Sequence, residues 1–203
     1  MKKNEKIMDV VFILDRSGSM QGSEKDTIGG YNGYISDFKN KNAKITTVLF
    51  DDKYEMITKR QNVKDVPKLT EKQYFVRGCT ALLDTIGKTI KFMEEEKTEK
   101  VMFIITTDGY ENASHEFNKE QIKEMIQGHK NWEFMYIGAD IDSYGEGESI
   151  GINSSNIANY RKDERGISKM FRALSMASKE YCEADCINSS WKEELEDYIK
   201  ENG

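Results

Sequence analysis

The stretch Val101-Met102-Phe103-Ile104-Ile105-Thr106-Thr107 is apolar or β-branched at every position and then stops at Asp108-Gly109. A strand with one solvated face alternates in polarity. An unbroken run has both faces covered, as in the central strand of a parallel sheet. A second such run, Val10-Val11-Phe12-Ile13-Leu14, also ends abruptly in a carboxylate, Asp15. Two strands of this kind require helices on both faces of one sheet, which is an α/β architecture.

The remaining elements follow the same alternation. Ile28, Tyr31, Ile35 and Phe38 recur at helical spacing and predict a helix over 25–39. Gly29, Gly30 and Gly33 inside it each cost about 1 kcal/mol relative to alanine. Three of them point to close packing against a neighbour or to an irregular start. Residues 43–50 and 54–59 read as strands joined by Asp51-Asp52-Lys53, too short a link for anything but an antiparallel hairpin. Residues 60–78, with the chain's one proline at Pro67, read mostly as loop.

Leu82, Leu83, Ile86, Ile90 and Met93 mark a second helix, and Ile122, Met125, Ile126 and His129 a third. Residues 132–139 form another strand, 154–160 a short edge strand, and Ile167 to Tyr181 a long helical stripe. Ser190-x-x-Glu193 opens a closing helix as a capping box, and Trp191, Leu195 and Tyr198 share a face that needs cover. The expected fold is a doubly wound, mostly parallel, Rossmann-like sheet with one antiparallel edge strand and a short C-terminal helix. One domain is expected over 1–182, with a helical extension over 183–203.

Lys and Arg number 30 against 36 Asp and Glu, a net charge of -6. No basic stretch offsets that acidity, which weighs against a nucleic-acid-binding scaffold. No apolar run approaches the roughly 20 residues of a membrane span. Lysines ahead of an apolar run mimic a signal peptide, but Asp9 and Asp15 interrupt it and no small-residue cleavage site follows, so this segment reads as the first strand. Cys79, Cys182 and Cys186 are odd in number and fit a reducing, cytoplasmic setting better than a disulfide framework.

After Leu14 come Asp15-x-Ser17-x-Ser19: one acid and two hydroxyls in five residues, with Gly18 relaxing the backbone between the serines. Hard oxygen donors that converge suit Mg²⁺ or Mn²⁺ far better than Zn²⁺ or copper. Ligands of open α/β sheets sit beyond the carboxyl ends of the strands where the strand order reverses. If the strands ending at Asp15 and Asp108 are neighbours, both carboxylates reach one crevice. Arg77-Gly78-Cys79-Thr80 would bring a third hydroxyl. Asp15 and Ser17 as helix caps, and Thr80 as a plain helix N-cap, are the competing readings.

Asp15-x-Ser17-x-Ser19, then Thr80, then Asp108-Gly109 together resemble the metal-ion-dependent adhesion site of von Willebrand factor type A domains. The resemblance spans roughly 5–182, departs at Cys79 where a second glycine is common, and looks most like the intracellular bacterial members. It implies a metal held by Ser17, Ser19 and Thr80 with Asp15 and Asp108, which balance a divalent charge. It also implies no enzymatic activity, and a protein partner that offers the metal a carboxylate, often beside ATPases or in stress responses.

The main rival is a Mg²⁺-dependent phosphatase-like hydrolase with Asp15 as nucleophile. Its acid/base aspartate would stand where this chain has Ser17, and serine cannot shuttle protons without a base. Weaker candidates are Asp140 and Asp142, read as solvated acids, and Asp51 and Asp52, read as turn residues. Tyr31 and Asn32 are possible approaches to the site from the first helix, and His115 and His129 are read as surface or helix-face groups. Gly145-x-Gly147-x-x-x-Gly151 matches a dinucleotide loop too poorly to carry weight.

Overall fold

A computed structural model describes residues 7–202. Six strands form one sheet in the order β3-β2-β1-β4-β5-β6: β1 (Met8–Asp15), β2 (Ala43–Phe50), β3 (Tyr54–Asn62), β4 (Val101–Thr107), β5 (Trp132–Gly138) and β6 (Ile157–Asn159). Every pairing is parallel except β2 with β3, the expected hairpin. The helices are α1 (Glu24–Phe38), α2 (Leu82–Glu95), α3 (Lys119–Gly128), α4 (Ser143–Ser149), α5 (Glu164–Ala184) and α6 (Glu193–Asn202).

The unbroken apolar runs are explained by what lies on each face. Alternate residues of β1 and β4, namely Val10, Phe12, Leu14, Met102 and Ile104, join α1 and α5 in one core cluster. Their neighbours Val11, Ile13, Phe103 and Ile105 join α2 and α3 in the other. Both central strands are buried along their whole length. At about 25 cal/mol per Å² of apolar surface, this two-sided burial is the main drive to the architecture.

The glycines of α1 divide by role. A Cβ on Gly30 would stand 2.0 Å from the Phe171 ring of α5, whereas Gly29 and Gly33 have open space. Close packing therefore accounts for one of the three.

Several boundaries differ from expectation. β3 runs on to Asn62 because Arg60, at φ 40°, absorbs a register shift and turns its guanidinium onto Asp9 at 2.8 Å. The edge strand is only Ile157–Asn159, since Asn153 caps a 3₁₀ turn over Ser154–Asn156. Helix α4 is absent from the sequence reading. Its residues, Ser-Tyr-Gly-Glu-Gly-Glu-Ser, are poor helix formers. The Asp142 side chain caps it through Gly145 N–H, and Gly147 lets it lie against Ile157. The final helix begins at Glu193 after a 3₁₀ turn capped by Asn188 rather than by the Ser190 box. Helix α5 continues past 182 to Ala184. Trp191 and Leu195 belong to the α1/α5 core, and the Trp191 indole donates to Ser155 O at 2.9 Å.

Among the described residues no helix is long and apolar enough to cross a membrane. Cys79 and Cys186 are exposed free thiols.

Candidate metal centre

Strand β1 pairs with β2 on one side and β4 on the other, so the chain order reverses between β1 and β4. The register sets Leu14 opposite Thr106 and thereby brings Thr107 beside Asp15, with Asp108 one residue beyond. The crevice expected at a switch point thus lies where the two carboxylates emerge.

Asp15 is fully buried and held at both oxygens. Oδ1 accepts Ser17 N–H at 2.7 Å, and Oδ2 accepts the Thr107 hydroxyl at 2.6 Å. Burial pushes its carboxyl up to about 6, opposed by the hydrogen bonds from Thr107 and Ser17 and reinforced by the nearby Asp108. Asp108 Oδ1 accepts the Ser19 hydroxyl at 2.5 Å, and the Ser17 and Ser19 hydroxyls lie 3.0 Å apart. Asp15, Ser17, Ser19 and Asp108 therefore form one connected set, closed by the Ser19–Asp108 bond across 89 residues of sequence.

Thr80 completes it. Its backbone exchanges two hydrogen bonds with Asn112, N–H to Oδ1 at 2.9 Å and carbonyl to N–H at 3.0 Å. The β4–α3 loop is pinned to the start of α2 by Glu111, which accepts Leu83 N–H. Asp84 accepts three backbone N–H groups from His115, Glu116 and Phe117. The N-cap position of α2 belongs to Ala81, so Thr80 is not spent as a cap.

Gly109 shows how tightly these hydroxyls converge. A Cβ placed there would stand 2.8 Å from Thr80 Oγ1, 3.2 Å from Ser19 Oγ and 3.7 Å from Ser17 Oγ. Three neutral oxygens ring a point that only glycine leaves open, with the buried Asp108 Oδ2 accepting no hydrogen bond. Oxygen donors of this number and hardness fit a divalent cation of the Mg²⁺ class. The described residues contain no cluster of three or more His, Cys, Asp or Glu, so a soft-metal site is not what the donors suggest.

The loop carrying Asp15, Ser17 and Ser19 is braced from beneath by Arg16, which the sequence reading did not single out, with Asp51 and Arg77. Arg16 is wholly buried and donates to Asp51 at 2.8 Å, Glu55 at 2.7 Å and the Gln73 carbonyl at 3.1 Å. Arg77 reaches the same Asp51 oxygen at 2.7 Å. Asp51 is a residue of the β2–β3 turn, where its Oδ1 accepts Lys53 N–H at 2.8 Å, and it is also a buried counter-ion. Burial works to raise its carboxyl, but the hydrogen bonds, led by that from Arg77, outweigh it and hold it below the ordinary range. The Tyr74 hydroxyl donates to Asp15 O at 2.5 Å, and Gly18 N–H to Gly78 O at 3.2 Å. Gly78 sits at φ 70°, with no room for a Cβ against Asp52.

Lys162, from the β6–α5 connection, places its ammonium 2.7 Å from Asp108 Oδ2 and donates to the Ser19 carbonyl. The contact with Oδ2 is an ion pair without hydrogen-bond geometry. No periodicity or spacing marks a lysine 54 residues beyond Asp108. Thr107 and Arg16 do adjoin the motif, and a charged residue enclosed by it is the one available hint of Arg16.

The weaker candidates go elsewhere. Tyr31 bonds Thr47 and Asn32 bonds Leu69 on the sheet's other side chains and loops. Asp142 caps α4, and His129 stacks on Trp132 at 3.8 Å. A polar cavity of about 950 Å³ beside His129, Trp132 and Lys100 lies at the opposite end of the strands and holds none of the site residues.

The sequence matches no protein-family model and no curated protein. Solved structures do match. Proximal thread matrix protein 1 of the mussel byssus, with a zinc-occupied MIDAS motif, superposes with a TM-score of 0.62 at 16% identity, over 88% of this chain and 46% of that one. A von Willebrand factor type A protein from Catenulispora acidiphila gives 0.62 and 16%, over 86% and 43%. This chain has the von Willebrand factor type A fold. The PilB minor pilin of Streptococcus sanguinis also superposes, with a TM-score of 0.67 at 12% identity over 89% of this chain and 63% of that one. The type A fold here thus spans less than two thirds of each of these longer chains.

Proposed function

We propose that this chain is a metal-dependent protein-interaction module. Ser17, Ser19 and Thr80 would bind a divalent cation, Mg²⁺ or Mn²⁺, with Asp15 and Asp108 supplying the balancing charge. The cation would in turn accept an acidic group of a partner protein. The convergence of three hydroxyls on the open face of Gly109, next to the Asp108 oxygen that accepts no hydrogen bond, carries this reading. The mussel protein with zinc in its MIDAS motif supports metal binding as a property that this fold can carry. A carboxylate-bearing partner, a place beside ATPase or stress-response machinery and a cytoplasmic setting rest on the family resemblance alone.

The phosphatase reading fares worse on accessibility. A nucleophile must reach substrate, yet Asp15 is fully buried with both oxygens engaged. Ser17, where an acid/base would stand, is bonded to another serine. The module is therefore proposed to be non-enzymatic.

Calorimetric titration of the chelator-treated protein with Mg²⁺, Mn²⁺ and Zn²⁺, alongside Asp108→Ala and a Ser17→Ala/Ser19→Ala double variant, tests this. Binding lost in both variants is expected. Affinity unchanged in Asp108→Ala would overturn the site.

A further inference from the structure

The Lys162 ammonium brings a positive charge onto a carboxylate of the proposed metal centre. It lies 2.7 Å from Asp108 Oδ2 and also holds the carbonyl of Ser19, so it engages two of the five proposed metal-binding residues at once. The Asp108 side chain is completely buried, and Lys162 retains only 21% exposure. An ion pair so enclosed is far less screened than one on the surface.

The backbone under Lys162 is anchored on both sides. Tyr160 N–H donates to Gly138 O at 2.9 Å. Asp163 caps α5 through Gly166 N–H at 2.7 Å, pairs with Arg161 at 2.7 Å and accepts the Tyr198 hydroxyl of α6 at 3.2 Å. A Cβ on Gly166 would collide with the Arg161 carbonyl, so the turn is closely packed. The connection holds its lysine aimed at the crevice, and the side chain is the part left to move.

We propose that Lys162 is a tethered counter-cation of the metal centre, which neutralises Asp108 when no ion is bound and must withdraw before a divalent ion can take that carboxylate. The inference rests on the metal-binding reading of the site. Lysine and metal then compete for one anion, so the affinity for metal is set partly by a residue that is not a ligand. Like charges at such range repel strongly, and the two cannot share Oδ2. Withdrawal of Lys162 also frees the Ser19 carbonyl, so loading the site changes the contact between the β6–α5 connection and the Ser17–Ser19 loop.

The test uses the full chain with Lys162→Met and Lys162→Gln, which remove the charge, and Lys162→Arg, which keeps it. After chelation, Mg²⁺ and Mn²⁺ are titrated by calorimetry and each variant is melted with and without saturating Mg²⁺. Both neutral variants are expected to bind the ions roughly tenfold more tightly, within the range typical of coupled equilibria. They should also melt lower than wild type in chelator and gain more from Mg²⁺. Lys162→Arg should behave as wild type.

Equal or weaker binding by both neutral variants, with Asp108→Ala still abolishing binding, would overturn the lysine's role while leaving the metal site intact. Absence of binding in every protein, wild type included, would overturn the metal reading and this proposal together.

Discussion

Replacing Arg16 with methionine removes a buried charge from the brace beneath the Ser17–Ser19 loop while keeping most of the side-chain volume. Three hydrogen-bonded contacts go, Asp51 at 2.8 Å, Glu55 at 2.7 Å and the Gln73 carbonyl at 3.1 Å, along with the guanidinium's place 5.5 Å over the Phe75 ring. Their weights differ. The Glu55 side chain is 50% exposed, so its pair contributes no more than about 1 kcal/mol. Asp51 is completely buried, and stranding a buried charge costs about 3–5 kcal/mol when nothing else holds it. Here Arg77 and the Lys53 amide still reach Asp51, at 2.7 and 2.8 Å, which places the loss below that range.

The Gln73 carbonyl adds about 1.5 kcal/mol, the low end for a bond from a charged donor. The sum is about 3 kcal/mol, a large share of the roughly 5–15 kcal/mol that stabilises an ordinary domain. At about 2–4 °C per kcal/mol for a chain of this size, the melting temperature should fall by about 6–12 °C. Urea denaturation of Arg16→Met, Asp51→Asn and the double variant measures it. The double variant should be more stable than the sum of the single losses predicts, because neutralising Asp51 removes the charge that Arg16 would have left behind. A loss below about 0.5 kcal/mol in Arg16→Met, or strictly additive losses, would refute the account of Arg16 as a buried ionic brace.

Two further outcomes follow from the packing and the polar pins. Gly29→Ala and Gly33→Ala should each raise stability by about 0.5–1 kcal/mol, since helix propensity improves in open space. Gly30→Ala should lower it by about 1–3 kcal/mol through collision with Phe171; the same sign for all three in thermal melts would contradict the contact between α1 and α5. At Asp84, burial works to raise the carboxyl, but backbone N–H donors from His115, Phe117 and Glu116 outweigh it and hold it below the ordinary value. A lowered carboxyl contributes stability that is present above its unfolded value of about 3.9 and is lost as pH falls through the folded one. Asp84→Asn should therefore cost about 1–2 kcal/mol at pH 7 and progressively less below about pH 4, by urea melts at several pH values. A cost independent of pH would show that shape and not charge matters there.

The architecture was legible because burial on two faces writes itself into composition. Runs such as 10–14 and 101–107 cannot alternate if helices cover both sides, and the helical stripes that cover them carry their own period. The hairpin was legible from the length of its link alone. Helix α4 was not, since its residues disfavour helix and its stability comes from the Asp142 cap and from Ile157, a partner outside the segment. The 3₁₀ turns before β6 and α6 were missed for a similar reason: asparagine side chains capping their own backbone compete with the regular element expected there.

The same division runs through the proposed metal centre. Asp15, Ser17, Ser19, Thr80 and Asp108 could be named from the sequence, because oxygen chemistry and strand ends are local properties. Whether they meet was decided by the strand order, which sets β1 beside β4 and brings loops 89 residues apart within one hydrogen bond. Asp51 is legible as a turn residue because its sequence neighbours form the turn, whereas its buried pairing with Arg16 and Arg77 has no local mark. Lys162 had no local mark at all. A charge acquires its role from the opposite charge it faces, and only the folded chain determines which one that is.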